Sequence, residues 1–228
     1  LVGFFALVVF PFGASLYWSF QRYDMLTPPR FVGTANYTRL AEELITGERF
    51  GQAAWNTAYY ALVSVPLSVV LGVSLAVMLS WNVRGRAIYR TIFFLPSVVP
   101  AVASSILWLW LLDPQAGLVN YVLSLVGLPG PGWFNSTAEA AWLPAWFAGS
   151  GGFGSKDGLV LMSLWGVGNF MIIYLAALGD IPPQLYEAAE LDGAGPVRRF
   201  RHITLPMLSP VIFFNLVMGL IQAVQAFT

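Results

Sequence analysis

The sequence predicts an all-α integral membrane protein, built as a polytopic helix bundle. Hydrophobic residues make up 57% of its 228 positions and charged residues only 10%, whereas an ordinary soluble domain has about 25% charged residues. The charges are also unevenly placed, because five long stretches contain no Asp, Glu, Lys or Arg. A helix needs about 20 mainly apolar residues to cross the roughly 30 Å core of a bilayer, so each stretch is long enough to form one span.

Five spans are therefore predicted, with every charged side chain in the connections between them. They cover about residues 1–20, 55–79, 91–112, 158–178 and 203–228. Prolines fall inside several spans, among them Pro11, Pro96 and Pro100, where they remove backbone donors and kink helices. Since neighbouring helices must satisfy the carbonyl groups that are freed, these prolines favour a packed bundle.

The basic residues predict which side of the membrane each connection faces. Connections 80–90 and 179–202 hold six arginines, whereas the much longer connections 21–54 and 113–157 together hold five basic residues. Short cytoplasmic loops carry the excess of Lys and Arg in membrane proteins. The first pair of connections is accordingly predicted to be cytoplasmic, which puts the first residue at the inner side and the last one near the outer side.

Both ends of the sequence suggest that the natural chain is longer. The first residue is Leu, and it leads directly into apolar sequence without the basic segment that opens a signal peptide. The fifth span runs to the last residue with no polar segment after it. We expect further sequence on either side.

The connection 180–206 predicts a helix, a tight turn and a second helix, and is called the coupling loop below. Asp180 can cap the first helix, with two prolines in its first turn, where a missing N–H costs little. Gly193 supplies the left-handed residue that ends this helix. A second short helix can start after Pro196 and enter the membrane at Leu205. A projection of this kind is typical of a docking element, although its arginines can also serve only to fix the topology.

Several residues of the coupling loop form a motif with fixed spacing. They are Glu187, Ala188, Ala189, Gly193, Ile203, Leu205 and Pro206. This pattern closely resembles the EAA loop of permease subunits in bacterial importers of the ATP-binding cassette (ABC) class. Further matches run along most of the chain, including Phe94 and Pro96 in the third span. They resemble the carbohydrate-uptake branch of that family, whose members import sugars and glycerol phosphate.

The resemblance implies that residues 1–228 form one transmembrane permease domain of a larger transporter, with a sixth span to follow. The implied partners are a second, homologous permease that completes a heterodimer, two cytoplasmic ATP-binding subunits and an extracytoplasmic solute-binding protein, assembled among the lipids of a bacterial or archaeal cytoplasmic membrane. ATP and Mg²⁺ would bind to the ATP-binding subunits, which the motif residues would contact. The chain itself is then expected to be no enzyme and to hold no cofactor, metal or nucleic acid.

The predicted spans contain no Asp, Glu, Lys, Arg or His, and the single histidine, His202, lies just before the fifth. Ion coupling and a charged solute are therefore disfavoured, and the expected solute is neutral and polar. A sugar is the first expectation, with glycerol phosphate, a polyol or another small solute as alternatives. Our mechanistic hypothesis is alternating access: ATP binding draws the coupling loop inward and rocks the fourth and fifth spans.

Candidate solute-lining residues lie on these two spans, which flank the coupling loop. They are Trp165, Asn169, Asn215, Gly219 and Gln222. Amides that both donate and accept hydrogen bonds, beside an indole ring, suit a ligand rich in hydroxyl groups. The same amides could instead hydrogen-bond between helices and only stabilise packing.

Two other classes of protein are less consistent with the sequence. A passive channel, the alternative that stays open, would need a polar stripe through several spans, and most spans here are uninterrupted Leu, Val, Ala and Phe. A membrane-embedded enzyme would need paired acids, a histidine cluster or a metal site within the membrane. The chain has no Cys and a single His, which excludes thiolate and multi-histidine sites.

Overall fold

The computed structural model describes residues 1–24, 26–47, 49–81, 84–135 and 154–226, and this part of the chain is mostly helical. The helices are α1 Val2–Ser19, α2 Ala35–Thr46, α3 Arg49–Ser80, α4 Arg86–Val98, α5 Ala101–Leu111, α6 Leu118–Leu125, α7 Ser155–Trp165, α8 Gly168–Gly179, α9 Pro183–Leu191 and α10 Pro196–Gln225. A short antiparallel pair of strands, β1 Gln21–Arg22 and β2 Arg30–Phe31, and a 3₁₀ turn at Trp133–Asn135 complete the described elements. The predicted all-α membrane fold is confirmed.

Three single helices are long and apolar enough to cross a membrane, namely α1, α3 and α10. Two more crossings are available if each of two bent pairs counts as one span. In these pairs α4 meets α5 at 98° and α7 meets α8 at 43°. The described residues thus provide up to five spans, and the last two residues of the fifth predicted span lie outside them.

The bend between α4 and α5 comes from Pro100. The sequence predicted one kinked span over residues 91–112, but the helix breaks outright between Val98 and Ala101. Val99 is extended, with φ −69° and ψ 129°, because a residue that precedes proline is disfavoured in the helical region. Pro96, by contrast, stays inside α4.

Two helices contain a π-turn that ends two residues before a proline. In α1 the π-turn Phe5–Val9 precedes Phe10-Pro11, and in α10 the π-turn Phe200–Thr204 precedes Leu205-Pro206. The N–H of Leu205 donates to the carbonyl of Phe200, five residues back. A proline ring inside a regular helix clashes with the carbonyl four residues earlier, and the wider turn lets the helix continue. The second helix of the coupling loop starts at Pro196, as predicted, and continues without a break into the fifth span, so the two form one helix.

The chain divides into two compact units, Leu1–Asn56 and Thr57–Thr228. In the first unit, Asn36 ties the end of α1 to β1, since its Nδ2 donates to the carbonyls of Ser19 and Gln21 at 2.9 and 3.0 Å. The Ser19 hydroxyl also shares a hydrogen bond of 2.6 Å with the hydroxyl of Tyr37.

In the second unit the core is formed by α3, α8 and α10. Its buried side chains are Val69, Val73, Ala76, Leu79, Met171, Tyr174 and Leu208. Small residues let α3 approach α8 closely, since a Cβ added to Gly72 would lie 2.9 Å from Cβ of Phe170. Close packing of this kind stabilises helices in lipid, where no hydrophobic effect drives them together.

Polar side chains fix the ends of the spans that are predicted to face outward. The Tyr59 hydroxyl donates to Oδ1 of Asp157 at 2.6 Å, and both residues are buried, which joins α3 to the start of α7. After α5, Oδ1 of Asp113 accepts the backbone N–H groups of Ala116 and Gln115 at 2.7 and 2.9 Å. These two bonds stabilise the carboxylate and lower the pKa of Asp113 below its ordinary value.

Candidate functional site

The coupling loop begins with α9, whose start is set by a proline pair. Pro182, with φ −59° and ψ 125°, precedes the first helical residue, Pro183. Asp180 was predicted to cap this helix, and that prediction is wrong. Its backbone is still helical and its N–H bonds to the carbonyl of Ala177, so it ends α8 instead. The reason is that Pro183 forces an extended conformation on the residue before it, which fixes the start of α9 two positions later.

The turn after α9 has the geometry that the sequence predicts. Gly193 adopts a left-handed φ of +73°. Its N–H donates to the carbonyl of Glu190 at 3.0 Å, and the N–H of Ala194 donates to the carbonyl of Ala189 at 2.8 Å. This pair of bonds is the Schellman motif, in which the left-handed residue satisfies carbonyls at the helix end.

The motif residues separate into two groups. Glu187, Ala188 and Gly193 are exposed, and Ala189 is half-buried. Ile203, Leu205 and Pro206 lie on α10, around the junction of its π-turn. Two large apolar side chains accompany the first group at the surface, since Leu191 is 90% exposed and Val197 78% exposed. Exposed apolar side chains beside a carboxylate are typical of a protein docking surface.

Two polar side-chain contacts between described residues join the halves of the coupling loop. Oε2 of Glu190 and Nη1 of Arg199 lie 3.4 Å apart. The hydroxyl groups of Tyr186 on α9 and Thr204 on α10 share a hydrogen bond of 2.9 Å.

A cavity of about 560 Å³ lies between α3, α7, α8 and α10 in the second unit. Of the predicted lining residues, Asn169, Asn215, Gly219 and Gln222 border it. Trp165 does not border it, and its ring instead packs edge-on against Trp108 at a centroid distance of 6.1 Å.

The cavity is also bordered by hydroxyl groups that were not among the residues predicted from the sequence. Tyr60, Ser64 and Ser68 of α3 border it, as does Ser163 of α7. The first three are spaced four residues apart, which puts them on one face of a helix, and that spacing is a signal that could have found them. The Ser64 and Ser163 hydroxyls donate to backbone carbonyls of their own helices, so their remaining lone pairs are acceptors.

Asn215 forms the buried side of the cavity, with only 3% of its surface exposed. Among the described residues, Nδ2 of Asn215 has no partner in hydrogen-bond geometry, and the buried hydroxyl of Tyr174, which also has none, lies beside the Asn215 side chain. Next to Asn215, α10 approaches α3 closely, because a Cβ on Gly219 would lie 2.8 Å from Cγ1 of Val65. Asn169 and Gln222, by contrast, are exposed.

Among the described residues that line the cavity, none is Asp, Glu, Lys, Arg or His. In the part of the chain that the structure describes, no three His, Cys, Asp or Glu side chains come together in a group that could hold a metal ion. The arrangement offers amide and hydroxyl groups in an uncharged cavity, which suits hydrogen bonding to an uncharged polar ligand.

The sequence matches the profile of one protein family, described as "binding-protein-dependent transport system inner membrane component", over residues 68–228. The chain belongs to this family. The resemblance seen in the coupling loop is thereby confirmed, and the chain is a membrane permease of the binding-protein-dependent class.

Individual relatives cover nearly all of the permease chain. It is 39% identical to the probable ABC transporter permease protein YesP of Bacillus subtilis (strain 168), over 100% of this chain and 68% of the relative. It is 32% identical to the sulfoquinovosyl glycerol transport system permease protein SmoG of Agrobacterium fabrum, over 97% of this chain and 67% of the relative. The trehalose/maltose transport system permease protein MalF of Thermococcus litoralis is also 32% identical, over 96% of this chain and 69% of the relative.

The fold of the permease is also found in a solved transporter. A bacterial alginate ABC transporter, crystallised in complex with an alginate pentasaccharide-bound periplasmic protein, contains a chain that matches with a TM-score of 0.71 and 26% sequence identity. The match covers 96% of this permease and 67% of that chain.

Proposed function

We propose that this permease is a subunit of an ATP-driven ABC importer and carries a neutral polar solute, with a sugar as the first candidate, by alternating access. One observation supports this above the others: α8 and α10, which lead into and out of the coupling loop, also form walls of the uncharged cavity. A displacement of the loop would move both walls together. Two of the named relatives, SmoG and MalF, are permeases of a sulfoquinovosyl glycerol and a trehalose/maltose transport system.

The chemistry of the cavity favours an uncharged solute. Sugars present hydroxyl groups that donate and accept, and the cavity offers the amides of Asn169, Asn215 and Gln222 together with serine hydroxyls. A hydroxyl group of the solute would satisfy Nδ2 of Asn215, whose burial without a partner is otherwise costly. Glycerol phosphate, the alternative, would need its counter-charge from another subunit.

The partners in this proposal follow from the family. A second permease would complete a heterodimer, an extracytoplasmic binding protein would deliver the solute, and two ATP-binding subunits would hold ATP and Mg²⁺ and hydrolyse the ATP. No cofactor is assigned to this chain. The exposed Glu187 and Leu191 would contact an ATP-binding subunit, which requires the coupling loop to be cytoplasmic, as its arginines predict.

Uptake into proteoliposomes tests the proposal. The full-length permease would be reconstituted with its second permease, ATP-binding subunits and binding protein, and supplied with a panel of ¹⁴C-labelled mono- and disaccharides. We expect uptake of at least one sugar that needs both hydrolysable ATP and the binding protein. Equal flux with a non-hydrolysable ATP analogue would instead indicate a passive channel.

Replacing Asn215 by leucine separates solute binding from helix packing. If the amide contacts the solute, Asn215→Leu should raise the KM for sugar uptake about three- to tenfold, the effect of losing one hydrogen bond. If the amide only fills space between helices, leucine should leave the KM unchanged, because its removal would break no hydrogen bond to the solute. Val217→Leu on the same helix, outside the cavity lining, is the control and should behave as the wild type.

A further inference from the structure

The hydrogen bond between Tyr186 and Thr204 links residues that are 18 positions apart. Tyr186 immediately precedes Glu187 of the motif and is half-buried on α9. Thr204 is only 6% exposed and ends the π-turn of α10. The bond therefore connects the helix that carries the exposed part of the motif to the helix that forms a wall of the polar cavity.

The other polar contact between the two helices, the ion pair of Glu190 and Arg199, is weaker than this hydrogen bond. The Glu190–Arg199 pair is 3.4 Å long, and the side chain of Glu190 is 71% exposed. Exposed ion pairs of this kind contribute little, because solvent screens them and both side chains lose conformational freedom. The Schellman turn sets the direction in which the chain leaves α9, but it includes no residue of α10.

Next to the Tyr186–Thr204 hydrogen bond, the coupling loop and the ends of the spans are not in close contact. A cavity of about 660 Å³ lies there, bordered by the ends of α3 and α8 and by both halves of the loop. Its lining includes Ser80, Leu178, Tyr186, Phe200 and Thr204. An inward displacement of α9 could therefore close this cavity and leave α10 in place, unless a direct contact carries the displacement across.

Thr204 is well placed to receive such a displacement. It lies within the single continuous helix α10, about 16 Å by helical rise from Asn215 at the buried side of the polar cavity. A shift applied at Thr204 is thus passed along one continuous helix to the cavity wall.

We propose that Tyr186 is a positioning residue for transport, which transmits the movement of α9 to α10 through its hydrogen bond with Thr204. The inference rests on the proposed function, since it assumes that an ATP-binding subunit moves α9. It assigns to Tyr186 and Thr204 a role distinct from that of the exposed motif residues. Tyr186 and Thr204 couple ATP hydrolysis to solute movement, whereas the exposed motif residues bind the ATP-binding subunit.

Removing single hydroxyl groups in the assembled, full-length transporter tests this role. Uptake of the ¹⁴C-labelled sugar and release of phosphate are measured together in proteoliposomes and expressed as sugar molecules per ATP. We expect Tyr186→Phe to lower this ratio about fivefold, the effect of one lost hydrogen bond, with a smaller change in ATP hydrolysis. Thr204→Val should do the same and Thr204→Ser, which keeps the hydroxyl, should restore the ratio. Glu190→Gln is the matched control and should stay within about twofold of the wild type.

Combining the variants excludes a merely structural effect. If both hydroxyls act through one bond, Tyr186→Phe with Thr204→Val should lower the ratio no further than either change alone. A wild-type ratio of sugar molecules per ATP in Tyr186→Phe would overturn the inference. It would also be overturned if the two substitutions lowered the ratio additively and each also lowered the yield of assembled transporter and its melting temperature to the same extent. A wild-type transporter without ATP-dependent uptake would instead contradict the proposed function.

Discussion

Replacing Gly168 by alanine is expected to remove most of the correctly folded permease. Gly168 is buried and is the first residue of α8, where the backbone of this helix touches the backbone of α4. An added Cβ would overlap the carbonyl oxygen of Phe93 and lie 2.8 Å from Cα of Phe94. Because backbone atoms cannot rotate aside as a side chain can, the two helices would have to separate. Overpacking costs about 1–3 kcal/mol even where side chains can adjust, and a native protein is stable by only about 5–15 kcal/mol.

The measurement is the yield of monodisperse transporter after detergent extraction, together with its melting temperature. Gly166, two residues earlier, provides a matched control: its φ is −82°, and a Cβ there would meet nothing closer than 3.6 Å. Gly166→Ala should therefore keep the wild-type yield. A melting temperature of Gly168→Ala within about 2 °C of the wild type would show that α4 and α8 do not approach as closely as described.

Replacing Gly193 by valine should reduce solute uptake at least tenfold while leaving the folded permease intact. Among the described residues, none outside Gly193 and its two chain neighbours has an atom within 4 Å of the position of the missing Cβ, so the obstacle is the left-handed backbone at φ +73°. A residue with a side chain resists this conformation by roughly 1–2 kcal/mol, and a β-branched one is a marked outlier there. The Schellman turn would open, and the exposed face of α9 would change its direction towards an ATP-binding subunit.

Gly195 offers the control for this prediction, because it also has open space around it but adopts an extended backbone with φ −65° and ψ 168°. Gly195→Val should keep most of the uptake. Gly193→Asn should fall between the two, since asparagine tolerates the left-handed region better than valine. If both valine variants took up sugar equally well, the conformation of the turn would have no part in transport.

The sequence predicted the elements whose signals are local. Long charge-free stretches mark the spans, and Gly193 marks the turn through its own freedom at positive φ. Asp180 shows the limit of such reasoning: two local signals competed there, a capping side chain and a following proline pair, and the backbone restriction imposed by Pro183 decided the outcome.

What the sequence could not give depends on contacts between distant segments. Trp165 shares a helix face with Asn169 by spacing, but α8 begins between them, at Gly168, and its 43° bend from α7 takes the indole towards Trp108. The serines of α3 were overlooked because single hydroxyl groups in an apolar helix commonly bond to their own backbone, as Ser64 does. Only the position of α3 beside α8 and α10 turns them into part of a polar cavity.

The π-turn at Phe200–Thr204 affects how this chain should be aligned with others. A π-turn holds one residue more than the corresponding α-helical turn, so every side chain after it is rotated by about 100° relative to an uninterrupted helix. A helical wheel drawn at constant pitch from Pro196 would thus put Asn215 and Gly219 on the wrong side of α10. The rotation of the cavity-lining end of α10 relative to its coupling-loop end is therefore set by the five residues of this π-turn. A relative that lacks the extra residue must set that rotation differently.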